Sequence, residues 1–198
     1  MLHMPAYLLA AKANRLFPAF WLAANTGIRR SELLGLHWGD IDLGDARISI
    51  SRALVSVAYT PHESPGKTRT ARRCIDIDDV TVEVLRAWQA VRESESNSPI
   101  APDDRLFASP TGAPIHPDAF SKTFERIVAT AGVPRLRLHD LRHTHASLLL
   151  KERVPIKVVS ERLGHATPAF TMATYQHVLP GMQAEAATTF GELISGTV

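Results

Sequence analysis

The stretch from residue 135 to residue 178 constrains the fold most, because glycine and proline divide it into short helical segments. The segment HDLRHTHASLLLKE predicts one helix, with His139 near its amino-terminal end. The segment PIKVVSERLG predicts another, since Pro155 suits the first turn of a helix and Gly164 suits the residue after its last turn. Amphipathic helices are also predicted in HPDAFSKTFERIVATAG and GMQAEAATTFGELI. The second half of the chain is therefore expected to be mainly helical.

The beginning of the chain carries apolar residues at helical spacing. Pro18 is expected in the first turn of a helix or at a break between two helices, and Gly27 should end that helix. The segment IRRSELLGLHWGDID predicts the next helix, with Ser31 as its N-cap and Glu32 in its first turn. Its leucines should pack inward while Arg29 projects from the junction between the two helices.

A short β-structure is predicted between these helical halves. In GDARISISRALVSVAYT, Ile48 and Ile50 alternate with serines, which is typical of a strand. The turn-rich segment PHESPGKTRT should separate this strand from a second one in ARRCIDID, which places Lys67 near the tip of a β-hairpin. Asp78 and Asp79 are expected to open the helix that follows. The predicted fold class is α+β, mainly helical, with a small antiparallel β-sheet.

Composition excludes several classes of protein. A chain of 198 residues with 45% hydrophobic and 21% charged residues can bury a real core and is not disordered. The single cysteine, Cys74, excludes an internal disulfide and a cysteine-built metal site.

His139 and His143 lie four residues apart, but the glutamate between them and the third ligand of a zinc protease are missing. The sequence has neither the G-x-S-x-G motif of a hydrolase nor a phosphate-binding glycine loop.

The arrangement of positive charge says more than its total. Net charge is only +2 and the isoelectric point is about 8.9, which alone is a weak argument for nucleic-acid binding. Nine cations nevertheless fall in three short clusters: Arg29, Arg30, Lys67, Arg69, Arg72, Arg73, Arg135, Arg137 and Arg142. Clustered cations can form a surface that binds phosphates, although a single cluster is more often a solvated face. No signal peptide or membrane-length apolar run is visible, so a cytoplasmic protein is expected.

The order of the polar residues along the chain resembles that of the tyrosine recombinase, or phage integrase, family. The matching segments are TGIRRSELLGLHWGDID, PGKTRTARR, LHDLRHTHASLLL and VVSERLGHATPAFTMATYQHV. The resemblance covers essentially the whole chain and is specific, because dispersed positions must all agree at once. It implies a mainly helical catalytic domain with a small sheet, which agrees with the independent reading of the segments. It also implies cleavage and rejoining of DNA strands through a 3′-phosphotyrosine, without a metal or another cofactor.

The resemblance assigns a role to each candidate residue. Tyr175 is expected to attack the scissile phosphate, and Arg29 and Arg142 to bind its non-bridging oxygens as charge builds up. Lys67 is expected to protonate the departing 5′-oxygen, with Arg69 as the fallback because Gly66 makes this hairpin unusual. His139 is expected to assist proton transfer, and His165 is expected to donate a hydrogen bond to the phosphate. Glu32 is expected to orient the cationic cluster.

The expected partner is double-stranded DNA, with a homo-tetramer on DNA and a monomer when free. Family members commonly carry an additional amino-terminal DNA-binding domain that closes around the duplex. This chain is expected to lack it and to form a single catalytic domain over residues 1–198.

Two rival functions are open. One is a type IB topoisomerase, which shares the tyrosine but relaxes supercoils. The other is a DNA-binding regulator that kept the fold without the catalysis. A zinc enzyme is the weakest alternative.

Overall fold

The structure is a computed structural model that describes residues 4–65, 72–175 and 182–196. Helices account for most of these residues, as the sequence predicts. In chain order they are α1 (Met4–Ala11), α2 (Phe17–Thr26), α3 (Arg30–Leu34), a 3-10 turn (Trp38–Asp40), α4 (Asp79–Ser96), α5 (Pro117–Thr130), α6 (Leu138–Lys151), α7 (Ile156–Leu163), α8 (Pro168–Tyr175) and α9 (Met182–Ser195). None of the described helices combines the length and the apolar character that crossing a lipid bilayer requires.

The strands form two small antiparallel sheets. They are β1 (Ile41–Asp42), β2 (Arg47–Ile50), β3 (Arg52–Val57), β4 (Thr60–Pro65) and β5 (Arg73–Asp76). Strands β1, β2 and β5 form one sheet in the order β1–β2–β5, and β3 pairs with β4 in the other. Ile48 lies opposite Ile75, and both are buried together with Ile50. The predicted α+β class and the predicted alternation of Ile48 and Ile50 are thus confirmed.

The boundary between α2 and α3 confirms one prediction and corrects another. Helix α2 begins with Pro18 in its first turn and ends before Gly27, whose φ of 64° lies in the left-handed region that glycine tolerates. The predicted N-cap Ser31 is wrong, because α3 begins at Arg30 and its N-cap is Arg29. The carboxylate of Glu32 accepts the backbone N–H of Arg29, so it supplies the capping that a serine was expected to supply.

The hairpin of β3 and β4 departs from the predicted turn. Residues 61–65, expected to begin the turn, instead belong with Thr60 to strand β4, which pairs in register with β3 and has Pro65 opposite Arg52. The chain reverses at Ala58 and Tyr59, whose φ angles of 47° and 62° are left-handed. Neither residue is the glycine or asparagine that usually marks such a turn, so the turn could not be predicted from these residue types. Lys67, expected near the tip of the hairpin, lies outside the described residues.

Two hydrophobic clusters stabilise the fold. The larger one centres on aromatic contacts between helices α1, α2 and α5, where Phe20 stacks on Phe120 with ring centroids 4.6 Å apart. The smaller one joins α6, α7 and α8 through Ala146, Leu150, Val159, Leu163 and Tyr175. Helix α6 contacts both α2 and α7, so it links the two clusters. The candidate functional residues lie around this link.

Candidate active site

Three arginines meet at the carboxyl-terminal end of α7. Their guanidinium groups donate to three consecutive backbone carbonyls: Arg73 to Arg162 at 2.8 Å, Arg142 to Leu163 at 2.7 Å and Arg29 to Gly164 at 3.0 Å. The last carbonyls of a helix have no partner within it, and the helix dipole places partial negative charge there. The end of α7 is therefore a suitable acceptor for cations that would otherwise repel one another.

Glu32 accepts four hydrogen bonds from two of these arginines. Its carboxylate binds the guanidinium of Arg29 at 2.7 Å and the backbone N–H of Arg29 at 3.0 Å, and it binds Arg73 through both oxygens, at 3.0 and 2.9 Å. Burial alone would raise the pKa of Glu32, but the hydrogen bonds and charges of Arg73 and Arg29 lower it below its ordinary value. Glu32 is thus a buried anion that holds two cations in place.

Arg142 projects from α6 into the middle of the site and is 4% exposed. Besides Leu163 it donates to the carbonyl of Gly27 at 2.6 Å, so it also fixes the junction between α2 and α3. Burial, followed by the neighbouring charge of Arg29, lowers the pKa of Arg142 to about 10. The side chain therefore stays charged at neutral pH. Its two carbonyl bonds use two of the five N–H groups of a guanidinium, which leaves it able to donate to a further acceptor.

Tyr175, the last residue of α8, lies against His143. Its hydroxyl is 2.9 Å from Nδ1 of His143, and the side chain is only 3% exposed because it is part of the smaller hydrophobic cluster. Burial raises the pKa of Tyr175, while the positive charge of Arg142 opposes that rise. The ring of His139 meets His143 edge-on, with centroids 4.7 Å apart. The imidazole that contacts the tyrosine hydroxyl is thus that of His143.

His165 follows the glycine that ends α7. Its Nδ1 is 2.7 Å from Oγ1 of Thr171, a buried residue of α8. Burial, together with the charges of Arg142, Arg29 and Arg73, lowers the pKa of His165 to about 4. The imidazole is therefore neutral at pH 7 and carries one proton. If the threonine hydroxyl donates to Nδ1, that proton is on Nε2, where it can donate to an anion.

The structure brings together six of the seven residues singled out in the sequence: Arg29, Glu32, His139, Arg142, His165 and Tyr175. The seventh, Lys67, and its fallback Arg69 lie outside the described residues. Three participants had no assigned role in the sequence analysis: Arg73, His143 and Thr171. His143 drew attention only as one of a histidine pair, and Arg73 only as one of a basic cluster. A strand period places Arg73 on the same side as Ile75, and this was the available signal that it points inward.

A second polar arrangement, outside this site, resembles a serine hydrolase triad. Oγ of Ser56 is 3.2 Å from Nε2 of His116, and Asp118 follows in sequence. Nδ1 of His116, however, accepts the backbone N–H of Asp118 at 3.2 Å, so the ring proton is on Nε2 and points to the serine. A histidine in that tautomer cannot accept the serine proton. Among the residues that the structure describes, no three His, Cys, Asp or Glu side chains are grouped as metal ligands would be.

Similarity to solved structures supports the fold. The Tn1549 transposon integrase in complex with circular intermediate DNA superimposes with a TM-score of 0.81 at 21% identity, over 95% of this chain and 64% of that one. The XerA recombinase superimposes with a TM-score of 0.70 at 23% identity, over 94% and 62%. At these identities the likeness shows a common fold and no more.

Sequence relatives show the family. The phage integrase family profile matches residues 2–181. A XerC-like tyrosine recombinase of Caldanaerobacter subterraneus subsp. tengcongensis is 33% identical over 199 residues, covering 93% of this chain and 51% of the relative. The ICEBs1 integrase of Bacillus subtilis is 28% identical over 183 residues, covering 90% and 50%. This chain thus spans about half the length of these two relatives. By the match over most of its length, the chain belongs to the phage integrase family of tyrosine recombinases.

Proposed function

We propose that residues 1–198 form a single catalytic domain that cleaves and rejoins DNA strands as part of a site-specific recombinase or integrase. One observation carries the proposal: the hydroxyl of Tyr175 is 2.9 Å from the imidazole of His143, within the range in which the charge of Arg142 lowers the pKa of Tyr175. A hydroxyl nucleophile needs a proton acceptor, and a phosphodiester under attack needs fixed positive charge. Both needs are met within one buried cluster. Family membership supports DNA as the substrate.

The proposed reaction is an exchange of one phosphodiester for another. The phenolic oxygen of Tyr175 attacks phosphorus, the bond from phosphorus to the 5′-oxygen breaks, and the DNA is left as a 3′-phosphotyrosine and a free 5′-hydroxyl. The tyrosine proton passes to His143, whose Nδ1 lies at hydrogen-bond distance. Attack by a 5′-hydroxyl on the phosphotyrosine reverses the step and rejoins a strand. Because each step replaces one phosphodiester with another, no ATP is required. We further propose that the arginines take the charge-stabilising role that metal ions have in other nucleases.

The arginines stabilise the charge that develops on the phosphate. Arg29 and Arg142 are permanently charged, planar donors that can each bind two oxygens. The side chain of Arg29 is 39% exposed, whereas that of its carboxylate partner Glu32 is 7% exposed. A phosphate that approaches this ion pair therefore meets the arginine and not the glutamate. Neutral His165 donates a further hydrogen bond to the phosphate. These donors occupy fixed positions before the substrate arrives, which is the arrangement that favours the transition state.

Proton delivery to the leaving 5′-oxygen is assigned to Lys67, with Arg69 as the alternative. A lysine suits this task because its ammonium group can lose a proton when its surroundings lower its pKa, while an arginine very rarely does. His139 contacts His143 and is placed to relay the tyrosine proton away from the site. Burial, then the charges of His143 and Arg142, lowers the pKa of His139, which favours the neutral imidazole that can accept a proton.

The burial of Tyr175 sets a condition on this mechanism. The residue is only 3% exposed, so we infer that α8 shifts relative to α6 and α7 when the hydroxyl meets a DNA phosphate. Helix α8 is short, and two of its apolar residues, Phe170 and Met172, are exposed at 58% and 50%. Exposed apolar residues on a short helix are features of an element that opens locally more readily than the core.

The proposed partners are double-stranded DNA and further copies of the chain. A tetramer is expected on DNA and a monomer in its absence. Helix α9 supports the contact between copies, because its apolar residues Phe190, Leu193 and Ile194 are more than half exposed. Exposed apolar residues grouped on one helix are typical of a surface that another protein covers.

Trapping of the covalent intermediate tests the proposed function. The chain is incubated with a pool of nicked, randomised oligonucleotide duplexes from which the cleaved 5′ end diffuses away, and adducts are resolved on a denaturing gel. An adduct is expected with the wild type and not with Tyr175→Phe, whose circular dichroism spectrum should be unchanged. EDTA should leave the adduct yield unchanged. Adduct formation by Tyr175→Phe would refute the nucleophile, and loss of the adduct in EDTA would refute the metal-free mechanism.

A further inference from the structure

Arg73 is the most enclosed cation of the site that no proposed step of catalysis uses. It is the first residue of β5, and its side chain is 8% exposed. Its guanidinium donates through all three nitrogens: Nη1 and Nη2 to Glu32 at 3.0 and 2.9 Å, and Nε to the carbonyl of Arg162 at 2.8 Å. A single side chain thus connects three elements that are distant in sequence, namely β5, α3 and the end of α7.

The backbone of Gly164 lies directly on this guanidinium. A Cβ atom placed on Gly164 would lie 2.7 Å from Nη1 and 2.9 Å from Cζ of Arg73. A Cβ atom essentially never lies this close to a non-bonded heavy atom, so the close approach depends on the absence of a side chain at this glycine. Gly164 also accepts from Arg29 and directly precedes His165. The turn that carries His165 therefore rests on Arg73 from one side and is bound by Arg29 from the other.

From these contacts we propose that Arg73 is a positioning residue of the reaction, which fixes Arg29 through Glu32 and fixes His165 through the end of α7. The inference rests on the proposed function, since it assigns Arg73 to the geometry of the same site. Arg73 itself does not bind the phosphate. Both of its Nη atoms are paired with the carboxylate of Glu32, which offsets its charge, and its Nε donates to Arg162. Arg142, in contrast, donates to the neutral carbonyls of Gly27 and Leu163.

Arginine is needed at this position because of its shape and not only its charge. The bidentate bond to Glu32 and the third bond to Arg162 come from the three nitrogens of one planar group. A lysine would keep the charge but presents a single nitrogen, which cannot span both carboxylate oxygens and the carbonyl together. With Arg73→Lys, Glu32 loses one of its two fixed partners, and Arg29 and the His165 turn should lose their alignment.

The test compares Arg73→Lys with Arg72→Lys, which makes the same change at the preceding, exposed residue. The single-turnover rate of adduct formation and the affinity for DNA are measured with nicked duplexes selected by the wild type. For Arg73→Lys, the adduct rate should fall by about 10- to 100-fold, the usual effect of losing a residue that orients a catalytic group. DNA affinity should change less than about twofold, because the charge is kept. Arg72→Lys should change neither quantity.

Two further variants distinguish a positioning role of Arg73 from a purely structural one. One is a destabilised control, and the other changes a second residue of the same network. Gly132→Ala lowers stability because it places an alanine at a φ of 64°, and it displaces no neighbour because a Cβ there contacts nothing within 4 Å. If Arg73→Lys slows the reaction no more than Gly132→Ala does, the inference is overturned. Glu32→Gln reaches the network from its other side and should also slow the reaction. In the Arg73→Lys background it should slow the reaction much less than in the wild type, and fully additive effects would equally overturn the inference.

The outcomes also separate this inference from the proposed function. If the wild type forms no adduct, or Tyr175→Phe still forms one, the proposed function fails. If the wild type forms an adduct that depends on Tyr175 and Arg73→Lys reacts at the wild-type rate, only the role of Arg73 fails.

Discussion

Substitution of Gly164 by alanine gives the sharpest test of how the site is held together. Gly164 has a φ of 65°, and its position on the guanidinium of Arg73 leaves no space for a methyl group. Gly132 provides a matched control, because its φ is 64° but a Cβ there would contact nothing within 4 Å. Both alanine substitutions impose the same backbone strain. Only the one at Gly164 also displaces Arg73.

The expected magnitudes follow from these two contributions. An alanine in the left-handed region costs about 1 kcal/mol, so Gly132→Ala should lower the free energy of unfolding by about that amount. Displacing the Arg73 guanidinium disturbs its buried pair with Glu32, and breaking such a pair costs about 3–5 kcal/mol. Part of that cost can be relieved by small shifts, so Gly164→Ala should lower the free energy of unfolding by about 3 kcal/mol in total.

Urea unfolding followed by circular dichroism measures both values, and adduct trapping measures their effect on the reaction. Gly132→Ala should react at nearly the wild-type rate at temperatures where it is folded. Gly164→Ala should react much more slowly, because Arg29 and His165 both depend on this turn. Equal losses of stability in the two variants would refute the argument, since they would mean that Arg73 yields to the added methyl group without cost.

Two further predictions concern other groups around the site. Arg142→Lys should slow adduct formation by about 100- to 1000-fold, because one nitrogen cannot replace the planar donor, and a loss under tenfold in single-turnover assays would contradict this. Burial, followed by the charge of Arg162, lowers the pKa of His145 to about 4, so the unfolded chain protonates first as the pH falls below about 6.5. The contribution of His145 to the free energy of unfolding should be fully present above pH 6.5 and should be lost as the pH falls from about 6.5 to 4. At pH 5 the loss should be about 2 kcal/mol. Urea titrations of wild type and His145→Gln at pH 7 and 5 should therefore differ, and parallel pH profiles would contradict the assignment.

The elements that depend on local sequence could be predicted, and those that depend on distant contacts could not. Pro155 and Gly164 gave the bounds of α7 because the conformations they favour are properties of the single residue. The alternation of Ile48 and Ile50 predicted β2 because a period of two is likewise visible within a few neighbouring residues. The turn at Ala58 and Tyr59 was missed because the pairing of β3 with β4 imposes a backbone conformation that these residues do not themselves favour.

The site was predicted by residue type more fully than by contact. The order of arginine, histidine and tyrosine residues identified six members that the fold brings together. It could not show that Arg73 binds Glu32, because the two are 41 residues apart in sequence and meet only through the packing of a strand against a helix. It could not choose between His139 and His143 either, since both lie in the first turns of α6. Only the position of α8 decides which ring contacts Tyr175.

The burial of Tyr175 among the apolar residues of α6, α7 and α8 has a consequence for how often the tyrosine is exposed to DNA. Withdrawing an aromatic side chain from such a cluster costs about 2 kcal/mol, and breaking its hydrogen bond to His143 adds about 1 kcal/mol. A difference of about 3 kcal/mol leaves the nucleophile exposed in roughly one molecule in a hundred. Under the proposed function, a free chain would thus rarely present its tyrosine to DNA. Contacts that offset this difference, with the correct duplex or with further copies of the chain, would make the exposed form common and would confine strand cleavage to assembled complexes.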